Sequence, residues 1–245
     1  MLELVAHRGY AKRFPENTLA ALAAAVVAGA RYVEVDVQMT EDGVPVLFHD
    51  HDCQRLCGMP GAIADYDWAQ VSAFGVAWPP GHAAAPVPVA RLADLAGLLA
   101  AHPQVTAFVE IKREAIGRFG SARVIEAVHR LLAPVLAQTV LISFSRPALK
   151  VARPLWPAIG LVTERYREFR ARGSVALAPE YHFCDAQGLP QRGPLGHKGT
   201  TLVVYEIDSA RDARALEARG VRFVETFAMA ELAAALKEPH HEREL

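Results

Sequence analysis

Short β-branched apolar runs alternate with Ala- and Leu-rich segments of helical period along most of the chain. The pattern predicts strands at Leu2–Ala6, Tyr32–Met39, Thr106–Lys112, Thr139–Phe144 and Ile159–Thr163. Further strands are expected within Val175–Phe183 and at Thr201–Ile207 and Val221–Thr226. Helices are expected at Thr18–Ala28, Leu92–Ala101, Ser121–Ala133, Pro147–Arg153, Arg165–Arg172, Ala210–Arg219 and Met229–Lys237. Asn17 or Thr18 caps the first helix, and Gly29 and Gly220 act as stops. The turn Glu41-Asp42-Gly43 leads into Pro45–His49, a short strand that returns as a hairpin. Trp68–Ala90 reads as a Pro/Gly/Ala-rich insertion, Ala186–Gly199 as a loop where a helix is due, and Glu238–Leu245 as a polar, frayed tail.

Eight main strands alternating with helices imply parallel pairing through helical crossovers. The expectation is an α/β fold, a (β/α)8 TIM barrel spanning residues 1–245 as one domain, with a small insertion after the second strand at about residues 50–90. An open doubly wound sheet is the alternative, but His7-Arg8-Gly9 lacks the glycine spacing of its phosphate turn.

Composition narrows the function classes. Of 245 residues, 52% are hydrophobic and 22% charged, enough apolar surface to exclude global disorder. A net charge of −1 argues against nucleic acid as a partner. Three cysteines, Cys53, Cys57 and Cys184, give no disulfide framework and point to a reducing compartment. No leader is expected at the N-terminus, and no apolar run reaches the ~18 residues needed to span a bilayer. The expectation is a soluble cytoplasmic protein without stable membrane insertion, with monomer and homo-oligomer both open.

Chemistry enters through the placement of charges. Glu34 and Asp36 lie two apart in a strand, so both side chains share one face; Glu110 and Lys112 repeat that spacing. Val33, Val35 and Val37 must pack against helices, which turns the acidic face toward the barrel interior. His7, Arg8 and His49 follow strand ends, so all seven residues are expected at the C-terminal mouth. Three carboxylates together need counter-charge, and oxygen donors suit a hard divalent cation, Mg²⁺ or Ca²⁺. Such a cation with Arg8 and Lys112 suits a phosphate, and two imidazoles can act as base and acid around it.

Plainer readings compete. Glu110 and Lys112 alone would be an ion pair. His49, His51, Cys53 and Cys57 form an alternative zinc constellation of unusual spacing, against which both cysteines read as small buried hydrophobes. His82, His102, His129, His182 and His197 are expected at the surface or at caps, and His240 and His241 in the tail. Ser143 and Ser145 lack a nucleophile elbow. Arg165, Arg167, Arg170 and Arg172 form a local basic cluster, by default a solvated face.

His7-Arg8-Gly9, Pro15-Glu16-Asn17-Thr18, Glu34-Val35-Asp36-Val37, His49-Asp50, Val109-Glu110-Ile111-Lys112 and Ile142-Ser143-Phe144-Ser145 occur in this order. The set resembles the glycerophosphodiester phosphodiesterase family. That resemblance implies metal-dependent hydrolysis of glycerophosphodiesters to glycerol 3-phosphate and an alcohol, through a cyclic phosphate that water opens. It implies Glu34, Asp36 and Glu110 as metal ligands, His7 and His49 as the acid–base pair, and Arg8 and Lys112 on the phosphate. Glu16 would orient His7 or Arg8, and Asn17 would support that loop. The family's Trp-Thr-Val-Asn segment reads Tyr205-Glu206-Ile207-Asp208 here, and its Thr-Asp reads Glu225-Thr226-Phe227. Tyr205 stands in for the aromatic platform. Glu206 and Glu225 would either bind a cationic alcohol such as choline or ethanolamine or anchor helices. A lysophospholipase D-like or other phosphodiester hydrolase, and an inert barrel that binds phosphometabolites or a partner protein, remain as alternatives. The lack of an apolar entry helix favours the small diester.

Overall fold

The structure, a computed structural model, describes residues 2–238. Eight parallel strands run in chain order: β1 (Glu3–Ala6), β2 (Tyr32–Met39), β3 (Thr106–Ile111), β4 (Thr139–Ser143), β5 (Ile159–Thr163), β6 (Tyr181–Asp185), β7 (Thr201–Tyr205) and β8 (Phe223–Thr226). Each pairs with its sequence neighbours, and β1 pairs with both β2 and β8. That last pairing closes the sheet and excludes the open alternative, giving a (β/α)8 barrel. Pro45–Leu47 adds antiparallel to β2 as the expected hairpin, two residues shorter than the pattern suggests.

Period-two alternation sorts the side chains. Val33, Val35 and Val37 join the apolar layer beneath the helices. Phe108, Phe183, Val5, Val162 and Val203 fill the barrel axis. Glu34 is in register with Phe108, and Asp36 with Glu110, so the acidic residues cap this apolar plug. Thr18, not Asn17, caps the helix Leu19–Val27, its hydroxyl accepting from the Ala21 N–H at 3.2 Å.

The departures from expectation have local causes. Arg113–Phe119 forms an unforeseen helix before Ser121–Leu132; the break between them is Gly120, at φ 81°. The expected strand within Val175–Phe183 begins later, because residues Arg172–Val175 are helical and Ala178 turns at φ 45° just before Pro179. Arg165–Arg172 is a tight turn, Tyr166–Arg170, rather than an α-helix. β7 stops at Tyr205 and β8 starts at Phe223, each two residues inside its expected span. Ala186–Gly199 holds one short turn, Ala186–Gly188, and no α-helix.

The region around residues 50–90 is folded. It contains Gln54–Cys57, Ile63–Asp65, Trp68–Val71 and a two-stranded ribbon of Gly75–Val76 and Val87–Pro88. Its own small core includes Phe48, Cys53, Leu56, Ile63 and Val71. His182 and His197 correct the expectation of surface or capping residues. His182 is fully buried, with Nε2 2.8 Å from Thr163 Oγ1 and Nδ1 2.9 Å from His197 Nε2. His197 stacks on Phe169 and Tyr166. The two rings fill space under a sector that lacks a full crossover helix. Among the described residues, no helix is long and apolar enough to cross a membrane.

Gly9 sets the direction of the loop after β1. Its φ is +79°, and a Cβ there would lie 2.7 Å from the Ala21 carbonyl carbon. Gly9→Ala is expected to lower stability by about 2–4 kcal/mol, from left-handed backbone strain plus overpacking. A urea unfolding midpoint equal to that of the wild type would contradict this account.

Candidate active site

All eight residues singled out from the sequence meet at or beside one cup at the C-terminal ends of the strands. The cup encloses about 120 Å³ and is lined by His7, Arg8, Glu34, Asp36, Glu110 and Lys112, with His49 at its rim. Glu16 stands behind Arg8. A wider cleft of about 860 Å³, lined by Arg165, Arg167 and Arg170, brings none of these residues together. Chemistry, not volume, identifies the site.

Asp36 is the hub. Lys112 Nζ lies 3.2 Å from its Oδ1 and 3.0 Å from Glu110 Oε1. The Asn17 amide donates to Asp36 Oδ2 at 2.9 Å, and the Asp36 N–H donates to Asn17 Oδ1 at 3.0 Å. Arg8 Nε sits 3.2 Å from Oδ2, close enough for charge pairing but without an aligned N–H. The Arg8 N–H donates to Glu34 Oε2 at 3.1 Å. Arg8 and Asn17 both hold left-handed backbone, at φ 55° and 56°, which turns their polar groups into the cup. Burial works against charge on Asp36, but Lys112 and then Arg8 outweigh it and hold the carboxyl below the usual range.

The other carboxyls go the opposite way. Burial, then Asp36 and Glu225, push Glu34 well above the usual range. Glu225 faces inward from β8 and is pushed well up by burial and then by Glu110. Burial also raises Glu110, with Lys112 opposing. Four buried carboxyls therefore face two fixed cations. Glu34, Asp36 and Glu110 each offer an oxygen, all within 4.8 Å of one another. Glu34 Oε1 and Glu225 Oε1 are buried and accept no hydrogen bond from any described residue. Unpartnered buried oxygens beside a clustered oxygen donor set fit a hard divalent cation. The alternative zinc set is not assembled: neither potential donor group within the described residues includes His51, Cys53 or Cys57. Cys53 is buried and its thiol is pushed up to about 12 by burial.

The two imidazoles are held differently. His7 is buried and stacked on Phe227, ring centroids 4.6 Å apart. Its Nε2 lies 3.7 Å from Glu34 Oε2. Burial and the adjacent Arg8 push it well below the ordinary histidine value. His49 Nδ1 sits 2.8 Å from Asp50 Oδ1. Arg55 donates to both oxygens of Asp50 and, at 2.9 Å each, to both oxygens of Glu16. Glu16 accepts from Arg8 at 3.0 Å, so it orients Arg8 rather than His7. The result is a ladder: His49, Asp50, Arg55, Glu16, Arg8. The guanidinium of Arg55 occupies the other carboxylate-rich group, Glu16, His49 and Asp50.

Sequence reasoning missed Arg55 and gave Asp50 no role. The adjacent acid in His49-Asp50 was a usable signal; Arg55 gave none until the insertion folds and brings it against Asp50 and Glu16. Ser143 is structural: its hydroxyl donates to the Ile111 carbonyl at 2.8 Å. Tyr205 lines the cup and donates to the Thr163 carbonyl at 2.9 Å.

A closed parallel barrel with an acidic, cation-flanked mouth defines the class of protein. Residues 7–135 match the glycerophosphoryl diester phosphodiesterase family, more than half of the chain, and the chain belongs to that family. A probable glycerophosphodiester phosphodiesterase 1 of Mycobacterium tuberculosis is 34% identical over 197 residues, covering 72% of this chain and 71% of that protein. The uncharacterized protein YqiK of Bacillus subtilis is 31% identical over 160 residues, 65% of either chain. The chain thus spans just under two thirds of YqiK, and the match to rodent glycerophosphodiester phosphodiesterase 1 spans 20% of that protein. The fold matches that of an Oleispira antarctica phosphodiesterase solved with the product sn-glycerol-3-phosphate, with a TM-score of 0.80 at 20% identity, covering 96% of this chain and 97% of that one.

The raised carboxyls set a pH dependence. Without a cation, the folded chain binds more protons at Glu34, Glu110 and Glu225 than the unfolded chain does. That contribution to stability is full at acid pH and declines as pH rises through the raised values. His7 works in the opposite sense, its contribution being complete above 6.5. Above that pH the carboxyls dominate, so Mg²⁺ or Ca²⁺ affinity is expected to rise with pH and binding to release protons. Calorimetric titration in buffers of different ionisation enthalpy measures this; proton uptake on binding would contradict it.

Proposed function

We propose that the chain is a divalent-metal-dependent phosphodiesterase that hydrolyses glycerophosphodiesters to glycerol 3-phosphate and an alcohol. The observation that carries this reading is the convergence of Glu34, Asp36 and Glu110 with two separately anchored imidazoles in one small cup. The product named for the Oleispira antarctica phosphodiesterase supports a substrate of this size. A cytoplasmic location fits the three free cysteines.

Glu34, Asp36 and Glu110 would hold the metal, which would supply Lewis-acid neutralisation of a phosphoryl oxygen. Arg8 and Lys112 flank the same phosphate and offset its remaining charge. His7 is kept neutral by burial and takes the proton of the substrate hydroxyl next to the phosphate. That oxygen attacks phosphorus as the bond to the leaving alcohol breaks, and His49 donates the proton that the alcohol carries away. Water then opens the cyclic phosphate with the proton roles reversed. Phe227 and Glu34 restrict His7, and Asp50 fixes His49 through Nδ1, leaving its Nε2 for the reaction.

One observation favours a second substrate class. A groove of about 560 Å³, lined in part by Phe14, Trp78, Pro79 and Phe227, opens beside His7 and could shelter an acyl chain. Comparing glycerophosphocholine with lysophosphatidylcholine decides between the two readings.

Chelation is expected to abolish turnover on a glycerophosphodiester panel, and Mg²⁺ or Ca²⁺ to restore it. His7→Ala and His49→Ala are each expected to lower kcat by about 10²–10⁴-fold; a variant at full rate removes that residue from the acid–base role. Arg55→Met is expected to lower kcat by about 10–100-fold with metal affinity retained. Arg55→Lys should recover little, because an ammonium cannot fork onto two carboxylates. Unchanged kcat in Arg55→Met would show the ladder to be structural only.

A further inference from the structure

The two imidazoles of the cup are not equally equipped. His49 has its carboxylate partner at 2.8 Å. His7 is more deeply buried, yet its Nδ1 is sealed from water and bonds to nothing among the described residues. Stacking on Phe227 fixes the ring plane, so the direction in which Nδ1 points is set. Across from it lies the carboxylate of Glu206, with Oε1 4.0 Å away. That distance exceeds hydrogen-bond length by about 1 Å.

Glu206 is free to close the gap. Its side chain is 51% exposed and makes no hydrogen bond with any described residue. Its flanks are fixed: the Tyr205 hydroxyl donates to the Thr163 carbonyl at 2.9 Å, and the Ile207 N–H donates to the Glu225 carbonyl at 2.8 Å. Closure asks for a shift of about 1 Å in a side chain that no hydrogen bond from a described residue restrains.

We propose that Glu206 is the positioning residue for His7, its carboxylate accepting the Nδ1–H of the imidazole. A neutral imidazole carries one proton. Placing it on Nδ1 leaves the Nε2 lone pair facing the cup, on the side of Glu34, where a base must accept a proton. Tautomer and ring orientation are then set together. The barrel thereby gives each histidine its own carboxylate, one closed and one about 1 Å short of closure. This inference rests on the phosphodiesterase reading, with His7 as a reacting group, and adds a residue to it.

The test uses the full chain loaded with Mg²⁺, and the variants Glu206→Ala and Glu206→Gln, neither of which removes a buried contact. Glu206→Ala is expected to lower kcat by about 10–100-fold with KM near the wild-type value. The loss should be equal on glycerophosphocholine and on glycerophosphoglycerol. Glu206→Gln should recover part of it, since an amide oxygen still accepts from Nδ1–H. Nitrogen NMR of labelled histidine should show His7 as the Nδ1–H tautomer in wild type and a mixture in Glu206→Ala. An unchanged kcat in Glu206→Ala overturns the proposal. So does a loss confined to KM on the cationic substrate, which would assign Glu206 to the departing alcohol. If the wild type turns over no diester, the functional reading falls, and the NMR comparison still decides whether Glu206 holds His7.

Discussion

Charge burial governs this molecule. Four carboxyl groups stand at the end of a dry barrel axis, where Phe108 and Phe183 exclude water from below. Two cations, Arg8 and Lys112, are too few to neutralise them all. Asp36 takes most of that compensation and stays ionised; Glu34, Glu110 and Glu225 are left wanting protons or a cation. Ion affinity is therefore built into the unequal sharing of positive charge. On the proposed reading the same inequality would give a substrate phosphate its place, since its negative charge becomes tolerable only once the carboxylates are satisfied.

Rigidity around that cup comes from backbone as much as from side chains. The left-handed residues Arg8 and Asn17 and the tight Gly9 turn hold polar groups in directions that ordinary strand ends would not give. Arg55 adds a cross-brace from outside the barrel. Its planar fork grips Asp50 and Glu16 together, so that the loop bearing His49 and the loop bearing Arg8 share a fixed spacing.

Most of the barrel could be read from alternation. Val33-Glu34-Val35-Asp36-Val37 announces a strand with one greasy and one acidic face, and only a closed barrel makes both faces useful. The Glu110–Lys112 step was legible for the same reason. The sector between β5 and β7 was not. There, helical period is lost to short turns, and His182 is buried with half-buried His197 hydrogen-bonded against it, a pairing that no local pattern announces. Glu225 could be flagged only conditionally, because its inward direction depends on where β8 begins, and that register is set by pairing with β1. Arg55 was invisible for a different reason: its partners lie 5 and 39 residues away, and the contact exists only after the excursion packs its own small core.

That last feature bears on how such a chain can diversify. The excursion is a separate apolar cluster whose link to the chemistry runs through one guanidinium near its start. Substitutions at exposed positions farther along, between Gly58 and Pro88, leave that grip untouched so long as Ile63, Val71, Phe74 and Val76 keep Cys53 and Leu56 packed on either side of Arg55. The outer surface of the excursion can therefore vary in shape and charge while the spacing between the His49 loop and the Arg8 loop is kept.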